Sequence, residues 1–222
     1  MVELDAFMMR HGAERGSLVL QENGANVATV VAAMFENRDA DSAFGDLLMD
    51  LAAVLPGFAD LVPVYDKRTG IWDLDFVFDT GRRLPCAMVS DGTLRVLGIL
   101  TAIHSSRPSG TVLIDEIEVG FHPAILMTLM DRIQLRLDDD PQLQVITTTH
   151  SPVVVSRVLN QRSDSVVFFD QVYGAITWPD GEKSPTERTR ARYVAASGEP
   201  GHYVTSREVR RYLETVRSVT AP

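Results

Sequence analysis

The feature of this 222-residue chain that most constrains its fold is the segment Thr111–Pro123, with the sequence TVLIDEIEVGFHP. Its apolar start, Val112–Ile114, predicts a buried strand of a parallel sheet, and this strand runs directly into Asp115 and Glu116. α/β proteins place their ligands at the carboxyl ends of such strands. Neighbouring strand residues point to opposite faces, so the two carboxylates are suited to different tasks. The segment therefore predicts an α/β fold with an acidic site at one edge of its sheet.

Two flanking segments strengthen this interpretation, since an acidic turn after a strand is by itself only moderately specific. Upstream, VSDGTLR precedes an apolar helix; Ser90 is a good N-cap, and Gly92 lets a phosphate approach the amides at the positive end of the helix. Downstream, Gln144–Thr149 predicts a second buried strand that delivers His150 to the same sheet edge. A ring nitrogen there is suited to donate a hydrogen bond to a phosphate. An ordinary capped helix and a structural histidine are the alternatives.

Four segments together resemble the signature, Walker B, D-loop and switch-histidine elements of ABC-type ATPases: SDGTLR from Ser90, LIDE ending at Glu116, GFHP from Gly120 and TTTHSP around His150. Within that superfamily the chain is most similar to soluble AAA-family ATPases related to RecF, SMC heads and OLD-type nucleases. Gln21–Ala28 also resembles their G-x-N-[LV]-A segment. The resemblance runs from about residue 20 to residue 170. It implies a three-layer P-loop NTPase fold, the ABC-ATPase head, with a mostly parallel sheet.

The resemblance also implies a role for each motif. Asp115 would hold Mg²⁺ through water, Glu116 would be the general base for the lytic water, and His150 would contact the γ-phosphate of ATP. The signature residues would close over ATP held by a partner in a head-to-head dimer: Ser90, Asp91, Gly92 and Arg95. The D-loop would carry the dimer contact: Gly120, Phe121, His122 and Pro123. ATP and Mg²⁺ are thus the implied cofactors.

Two further acidic groups are less suitable for chemistry. Glu118 lies two residues beyond Glu116, but past the strand end we expect its orientation to be unfixed, so Glu116 is preferred as the base. Asp138–Asp140 are followed by Pro141, which predicts a solvated turn at the end of a helix. No other side chains at ligand spacing accompany these three aspartates, so a metal site is not expected there.

The sequence contains no G-x-x-x-x-G-K-[ST] loop, whose amides and Lys hold the β- and γ-phosphates in such enzymes. In the resembled family this Walker A segment lies ahead of the part that begins here at Met1, so the chain corresponds to the C-terminal portion. Three explanations stay open: a truncated or misassigned reading frame, which is favoured; a split protein; and a degenerate subunit acting in trans. We expect a homodimer or a partner subunit that carries a Walker A loop.

Composition and charge favour a cytoplasmic protein with one sizeable core. Hydrophobic residues make up 45% of the chain, and no run of 18 apolar residues occurs, so membrane insertion is not expected. The single cysteine, Cys86, excludes an internal disulfide and suits a reducing compartment. Glu3 and Asp5 stand where a secretory signal would be basic.

The net charge of −9 argues against nucleic-acid binding by the chain as a whole. Residues 182–222 differ, with eight Lys or Arg against five Glu. Arg188, Arg190 and Arg192 alternate there, and Arg207–Arg217 falls on a predicted helix. These basic residues could contact DNA or RNA phosphates. The favoured interpretation is that they form a solvated helix face.

We predict an ATPase domain over residues 1–172, with the lid region, signature, Walker B, D-loop and switch histidine, followed by a polar C-terminal extension over residues 173–222. Beyond residue 178 the chain is rich in Gly, Pro and Arg, which makes regular structure doubtful. The predicted elements are helices over 26–36, 42–54, 96–103, 124–137 and 153–159, a hairpin of strands 62–65 and 71–78, and strands 112–114, 144–149, 165–169 and 173–178.

Two functions from other classes stay open beside ATP hydrolysis. A non-catalytic interaction subunit would only offer its signature face to a P-loop partner, although the presence of both Glu116 and His150 argues against this. The second alternative is that the chain is part of a DNA-repair or phage-defence nuclease system, as in the OLD-type relatives. No acidic cluster of a nuclease follows Asp170, where such a domain would be appended.

Overall fold

The computed structural model describes residues 2–105, 110–177, 179, 182–196, 198 and 202–220. Its backbone contacts divide the chain into two compact units, residues 1–150 and 151–222. The predicted ATPase domain of residues 1–172 was defined by its motifs and stays a prediction.

The first unit contains the helices and strands that were predicted up to residue 149, with ends that shift by a few residues, and short elements that were not predicted. In chain order its elements are α1 (Ala6–Met9), β1 (Ala13–Glu14), α2 (Val27–Glu36), α3 (Ala43–Val54), β2 (Phe58–Asp66), β3 (Ile71–Phe78), β4 (Arg83–Pro85), α4 (Asp91–Ser105), β5 (Thr111–Ile114), α5 (Pro123–Asp139) and β6 (Gln144–Thr147). The short elements α1, β1 and β4 were not predicted. The α/β class predicted from the sequence is confirmed.

The predicted hairpin forms the centre of an antiparallel sheet. Strand β2 pairs with β3 from Asp66 opposite Ile71 to Phe58 opposite Phe78, while β1 and β4 share the other edge of β3. The connecting turn closes with a 2.8 Å bond from the Gly70 amide to the Asp66 carbonyl, and Gly70 has a φ of +74° that favours glycine.

Helix α4 is the central helix of this unit. It packs against α1, α2, α3, α5 and β5, and it is apolar nearly all round, with buried residues on every face. At Gly98 a Cβ atom would lie 2.6 Å from the end of the Leu4 side chain, so a larger residue would require that side chain to move. The helix that begins at the predicted signature is therefore buried in the core from Val96 to His104, while its first residues lie nearer the surface.

Parallel pairing in the first unit is found, among its described residues, at β5–β6 and at a bridge from Val2 to Ile114. Only one face of this pair is covered. Val112 and Ile114 are buried, whereas Leu113 and Ile146 on the other face are 38% and 49% exposed. The expectation of fully buried strands is wrong for this face, since within the first unit α4 packs against β5 from one side.

The second unit contains the elements α6 (Pro152–Gln161), β7 (Val167–Thr177), β8 (Lys183–Val194), β9 (Tyr203–Val204) and α7 (Ser206–Thr220). Strands β7 and β8 form an antiparallel pair of eleven residues each, and β9 adds to β8 in parallel. The two late strands predicted over 165–169 and 173–178 are one strand, and residue 178 lies outside the described residues. The helix predicted around Arg207 is confirmed.

Regular structure beyond residue 178 is a correction to the expectation from composition. Arg188, Arg190 and Arg192 alternate because they belong to β8, where every second side chain points to the same face. Arg190 and Arg192 both contact Asp170 on β7, and Arg192 also contacts Glu208. Cross-strand ion pairs thus stabilise a segment whose composition alone predicts disorder. Within the part of the chain that the structure describes, no helix is long and apolar enough to cross a membrane.

Candidate active site

The acidic turn after β5 has an unusual backbone. Asp115 and Glu116 are both exposed, and Glu116 has a φ of +44°, the one positive φ of a non-glycine residue among those described. A left-handed glutamate costs about 1–2 kcal/mol, so its surroundings must hold it in place. The Glu116 amide donates to the Thr148 hydroxyl at 2.8 Å, and the Ile117 amide donates to the Thr148 carbonyl at 3.2 Å. The segment after β6 therefore fixes the turn after β5.

Thr148 is the residue that joins the two strand ends. Its amide donates to the Ile114 carbonyl at 3.1 Å, and its hydroxyl donates to Oδ1 of Asp115 at 2.5 Å. Sequence reasoning did not single out Thr148, although it lies within the TTTHSP segment, one residue past the end of β6. A hydroxyl at this place sets the rotamer of Asp115 and leaves the second carboxylate oxygen for other partners.

Glu118 is fixed as well, contrary to the expectation from its place beyond the strand. Its Oε2 accepts from the Thr149 hydroxyl at 2.7 Å, and its Oε1 accepts from the His150 amide at 2.6 Å. Both oxygens are thus engaged by the connection that follows β6, which no local pattern could indicate. Glu118 holds the backbone of His150, whose imidazole is exposed. These contacts bring residues 115–118 and 148–150 together at one edge of the parallel pair.

The predicted signature begins with a capped helix. The Ser90 hydroxyl accepts from the Thr93 amide at 3.1 Å, which is the N-cap contact expected from the sequence. Asp91 forms an ion pair with Arg10, and Arg10 also donates to the carbonyls of Ala87 and Val89 at 2.9 and 2.7 Å. Arg10, which carries no motif, therefore holds the segment that leads into α4.

The signature and the D-loop touch each other within the chain. A Cβ atom at residue 92 would lie 2.9 Å from the Gly120 carbonyl oxygen, so glycine at 92 is needed for this packing. Gly120 has a φ of +82°, and His122 caps α5 by accepting from the Ala124 amide at 3.3 Å before Pro123. The residues predicted as the signature and as the D-loop are thus packed side by side within the chain.

Arg95 connects the signature helix to the acidic turn. One terminal nitrogen of its guanidinium donates to the carbonyls of Asp115 and Glu116, at 2.9 and 2.8 Å. Burial lowers the pKa of Arg95 from its ordinary value, while the carboxylates of Glu116, Asp115 and Glu118 act to raise it. Sequence reasoning assigned Arg95 to the nucleotide and did not foresee these contacts, because they join residues twenty positions apart.

The donor set fits Mg²⁺ held together with a nucleotide. Among the described residues there is no group of three or more His, Cys, Asp or Glu side chains that could hold a metal ion by themselves. Mg²⁺ in nucleotide sites uses one or two carboxylates and takes its remaining ligands from phosphates and water. The exposed Asp115 meets that requirement with the oxygen that Thr148 leaves available.

Comparison with known families gives one match. The family model described as "AAA domain, putative AbiEii toxin, Type IV TA system" matches residues 22–156. This range includes the signature, the acidic turn and His150. Among curated proteins, none matches the sequence.

Solved structures give a likeness at the level of the fold. The Smc head domain with a coiled coil and joint from Pyrococcus yayanosii aligns with a TM-score of 0.50 and 13% identity over 81% of this chain and 30% of that one. A structure from work on ATP-driven dimerization and DNA stimulated activation of SMC ATPases aligns with a TM-score of 0.49 and 14% identity, over 82% and 96% of the two chains. The Pyrococcus furiosus Smc head bound to the C-terminal domain of ScpA aligns with a TM-score of 0.45 and 13% identity, over 84% and 40%. The first likeness shows a P-loop NTPase fold of the SMC-head type, and this chain spans less than a third of that relative.

Proposed function

Because the chain belongs to the AAA-domain family whose model it matches, we propose that it supplies the Walker B, signature, D-loop and switch-histidine part of an ATP-hydrolysing site. The observation that carries this proposal is the joined edge of β5 and β6. There Thr148 binds Asp115 and the Glu116 amide, and Glu118 binds the His150 amide. An acidic turn held rigidly beside an exposed histidine suits phosphoryl transfer, where catalysis consists mainly of positioning and electrostatics.

Each residue would then act from the position in which these contacts hold its backbone. Glu116 would take the proton of the attacking water, since its side chain is exposed and its backbone is bonded to Thr148. His150 would donate a hydrogen bond to the γ-phosphate. Asp115 would hold Mg²⁺, which when bound neutralises charge on the phosphates.

We further propose that a separate polypeptide that bears a P-loop completes the site, since a second copy of the present sequence would not supply that loop. The sequence has no loop of the G-x-x-x-x-G-K-[ST] type to hold the phosphates. The uncovered face of the β5–β6 pair, with Leu113 and Ile146, also supports a missing layer, since parallel sheets are covered on both faces. The signature residues Ser90 and Gly92 would serve ATP held across the dimer.

Nucleic-acid binding through the C-terminal tail has less support. Arg190 and Arg192 are neutralised by Asp170 and Glu208 within the second unit, which favours a structural role for this part of the basic tail. An electrostatic footprint for phosphates requires basic side chains that are available to the ligand.

Phosphate release tests the proposed function. The chain alone should release phosphate from ATP at a negligible rate. Co-expression with a polypeptide that carries a G-x-x-x-x-G-K-[ST] segment should restore turnover and give an ATP-dependent complex on size-exclusion chromatography. Turnover by the isolated chain that Glu116→Gln abolishes would reveal a phosphate site of another kind and overturn the need for a P-loop partner. A complex that forms with ATP but does not hydrolyse it would support the non-catalytic alternative.

A further inference from the structure

Arg95 lies on the second turn of α4, and its guanidinium contacts backbone rather than pointing at open solvent. We propose that Arg95 is a positioning residue that couples the signature helix to the turn carrying Glu116. This inference rests on the proposed function only for the names signature and catalytic turn. The contacts that Arg95 makes do not depend on that function. The sequence assignment of Arg95 to the nucleotide is the alternative.

The geometry of the two bonds favours this role. Successive carbonyls of an extended chain point in opposite directions, so they do not converge on one donor. The carbonyls of Asp115 and Glu116 both accept from the same nitrogen of Arg95, at 2.9 and 2.8 Å. Glu116 has a left-handed φ of +44°, so the chain is not extended at this residue, and the two carbonyls can converge there. Arg95 therefore contacts the backbone at its strained position.

Burial makes the contact costly to rearrange. Arg95 is half-buried, and its Nε is buried without a hydrogen-bond partner in the part of the chain that the structure describes. An unsatisfied buried donor is unfavourable, and it is tolerated here beside two charge-assisted bonds to carbonyls. The nearby carboxylates of Asp115, Glu116 and Glu118 compensate the buried charge.

The other end of α4 is anchored separately. His104 contacts Oδ2 of Asp50 through Nε2 at 2.8 Å, and Nε of Arg132 donates to Oδ1 of Asp50 at 2.5 Å. Asp50 on α3 and His104 on α4 are both buried, and Arg132 belongs to α5. With this anchor near its end and Arg95 near its start, α4 is fixed at both ends.

The consequence is that the signature and the catalytic turn move together. Gly92 packs against the Gly120 carbonyl, and Arg95 holds the carbonyls of Asp115 and Glu116, so a shift of the helix start displaces the turn. A ligand that engages Ser90 and Gly92 would therefore change the place of Glu116, and the coupling would be reciprocal.

Hydrogen exchange of the chain without nucleotide tests the proposal. In Arg95→Met, amides in a peptide spanning residues 111–122 should exchange at least about tenfold faster, because two hydrogen bonds to a charged donor are lost. Arg95→Lys keeps a charged terminal nitrogen on a shorter side chain, so it should give a smaller increase. If Arg95 only contacts nucleotide, neither variant changes exchange in the absence of ATP.

Two controls separate positioning from general stability. Arg15→Met removes an exposed arginine and should leave the peptide unchanged. Asp50→Asn weakens the far anchor and should raise exchange across α3, α4 and α5 rather than at the turn. An Arg95→Met effect that spreads over α3, α4 and α5, as expected for Asp50→Asn, and is not concentrated at the turn would overturn the proposal. Should Arg95→Met not fold, Arg95→Lys decides by the same comparison. Because no ATP is present, failure of the proposed ATPase activity leaves this result intact, and the reverse also holds.

Discussion

The carboxylates at the strand end of β5 and on β7 are used in opposite ways in the two units. Residues 1–150 contain 22 Asp or Glu against 11 Lys or Arg, whereas residues 151–222 contain eight against ten. In the first unit the side chains of Asp115 and Glu116 stay exposed while neighbours bind their backbone. In the second unit the carboxylate of Asp170 forms ion pairs with two arginines. The proposed chemistry therefore concerns exposed carboxylates of the first unit, whereas Asp170 in the second unit forms structural ion pairs.

The units also differ in what stabilises them. The first has a dense core around α4, with Leu94, Leu97 and Leu100 at most 1% exposed. In the second unit, Phe169 and Tyr173 on β7 are 71% and 74% exposed. The backbone hydrogen bonds of the long β7–β8 pair are its main regular structure. Loss of a buried group should therefore harm the first unit more than loss of an ion pair harms the second.

Glu116→Gln should have the largest effect. In the protein completed by a P-loop polypeptide, removal of the general base should lower turnover by about 100-fold to 10,000-fold. Folded stability should hardly change, because Glu116 is exposed and its backbone bonds remain. Steady-state phosphate release measures the effect, with Asp139→Asn, an exposed carboxylate on α5, as the control. Retention of a tenth or more of the turnover would mean that another residue is the base.

Asp50→Asn should have the largest effect on stability. The variant leaves His104 and Arg132 without their anion, and loss of one partner in a buried ion pair costs about 3–5 kcal/mol. Because Arg132 is partly exposed, we expect the loss of unfolding free energy to lie near the lower end of that range. Chemical denaturation followed by circular dichroism measures it. A loss below about 1 kcal/mol would show that solvent replaces the contact, as at a surface.

Acid should weaken both units through specific carboxylates. Burial acts to raise the pKa of Asp50, but hydrogen bonds from His104 and Arg132 outweigh it and leave the pKa below its ordinary 3.8. The hydrogen bond from Arg192 lowers the pKa of Asp170 as well. A carboxylate with a lowered folded pKa stabilises the protein above pH 3.8, and this stability is lost as pH falls through the folded pKa.

The comparison between the units predicts which variant removes that acid dependence. Unfolding free energy measured between pH 5 and the acid limit should fall less steeply in Asp50→Asn than in the parent chain. Asp170→Asn should flatten the profile less, since its ion pairs are partly exposed. Equal slopes in the parent and in Asp50→Asn would assign acid sensitivity to other groups.

Asp170→Asn should have the smallest effect of the three test variants. Partly exposed ion pairs contribute at most about 1 kcal/mol, even where one carboxylate meets Arg190 and Arg192. Amide exchange in β7 and β8 should rise slightly, and phosphate release by the completed protein should stay unchanged. A large loss of turnover would contradict the division between a chemical first unit and a structural second one.

Much of the first unit was predictable because its signals are local. Apolar periodicity indicated α2, α3, α4 and α5, and the turn residues before Ile71 indicated the β2–β3 hairpin. Ser90 was recognised as an N-cap because capping involves neighbouring residues only. The second unit was harder to predict, since β8 is polar and is stabilised by pairing with β7 rather than by its own composition.

The sequence by itself determined the α/β class, the family and the order of Asp115, Glu116 and His150 at two strand ends, because each rests on short-range pattern. Only the tertiary structure decided that Thr148, Glu118 and Arg95 hold these residues in place. Each of those contacts joins a side chain to a backbone atom twenty or more positions away, and backbone carbonyls and amides are present at nearly every residue. No pattern of side chains can therefore indicate which of them will meet before the strands and α4 have packed.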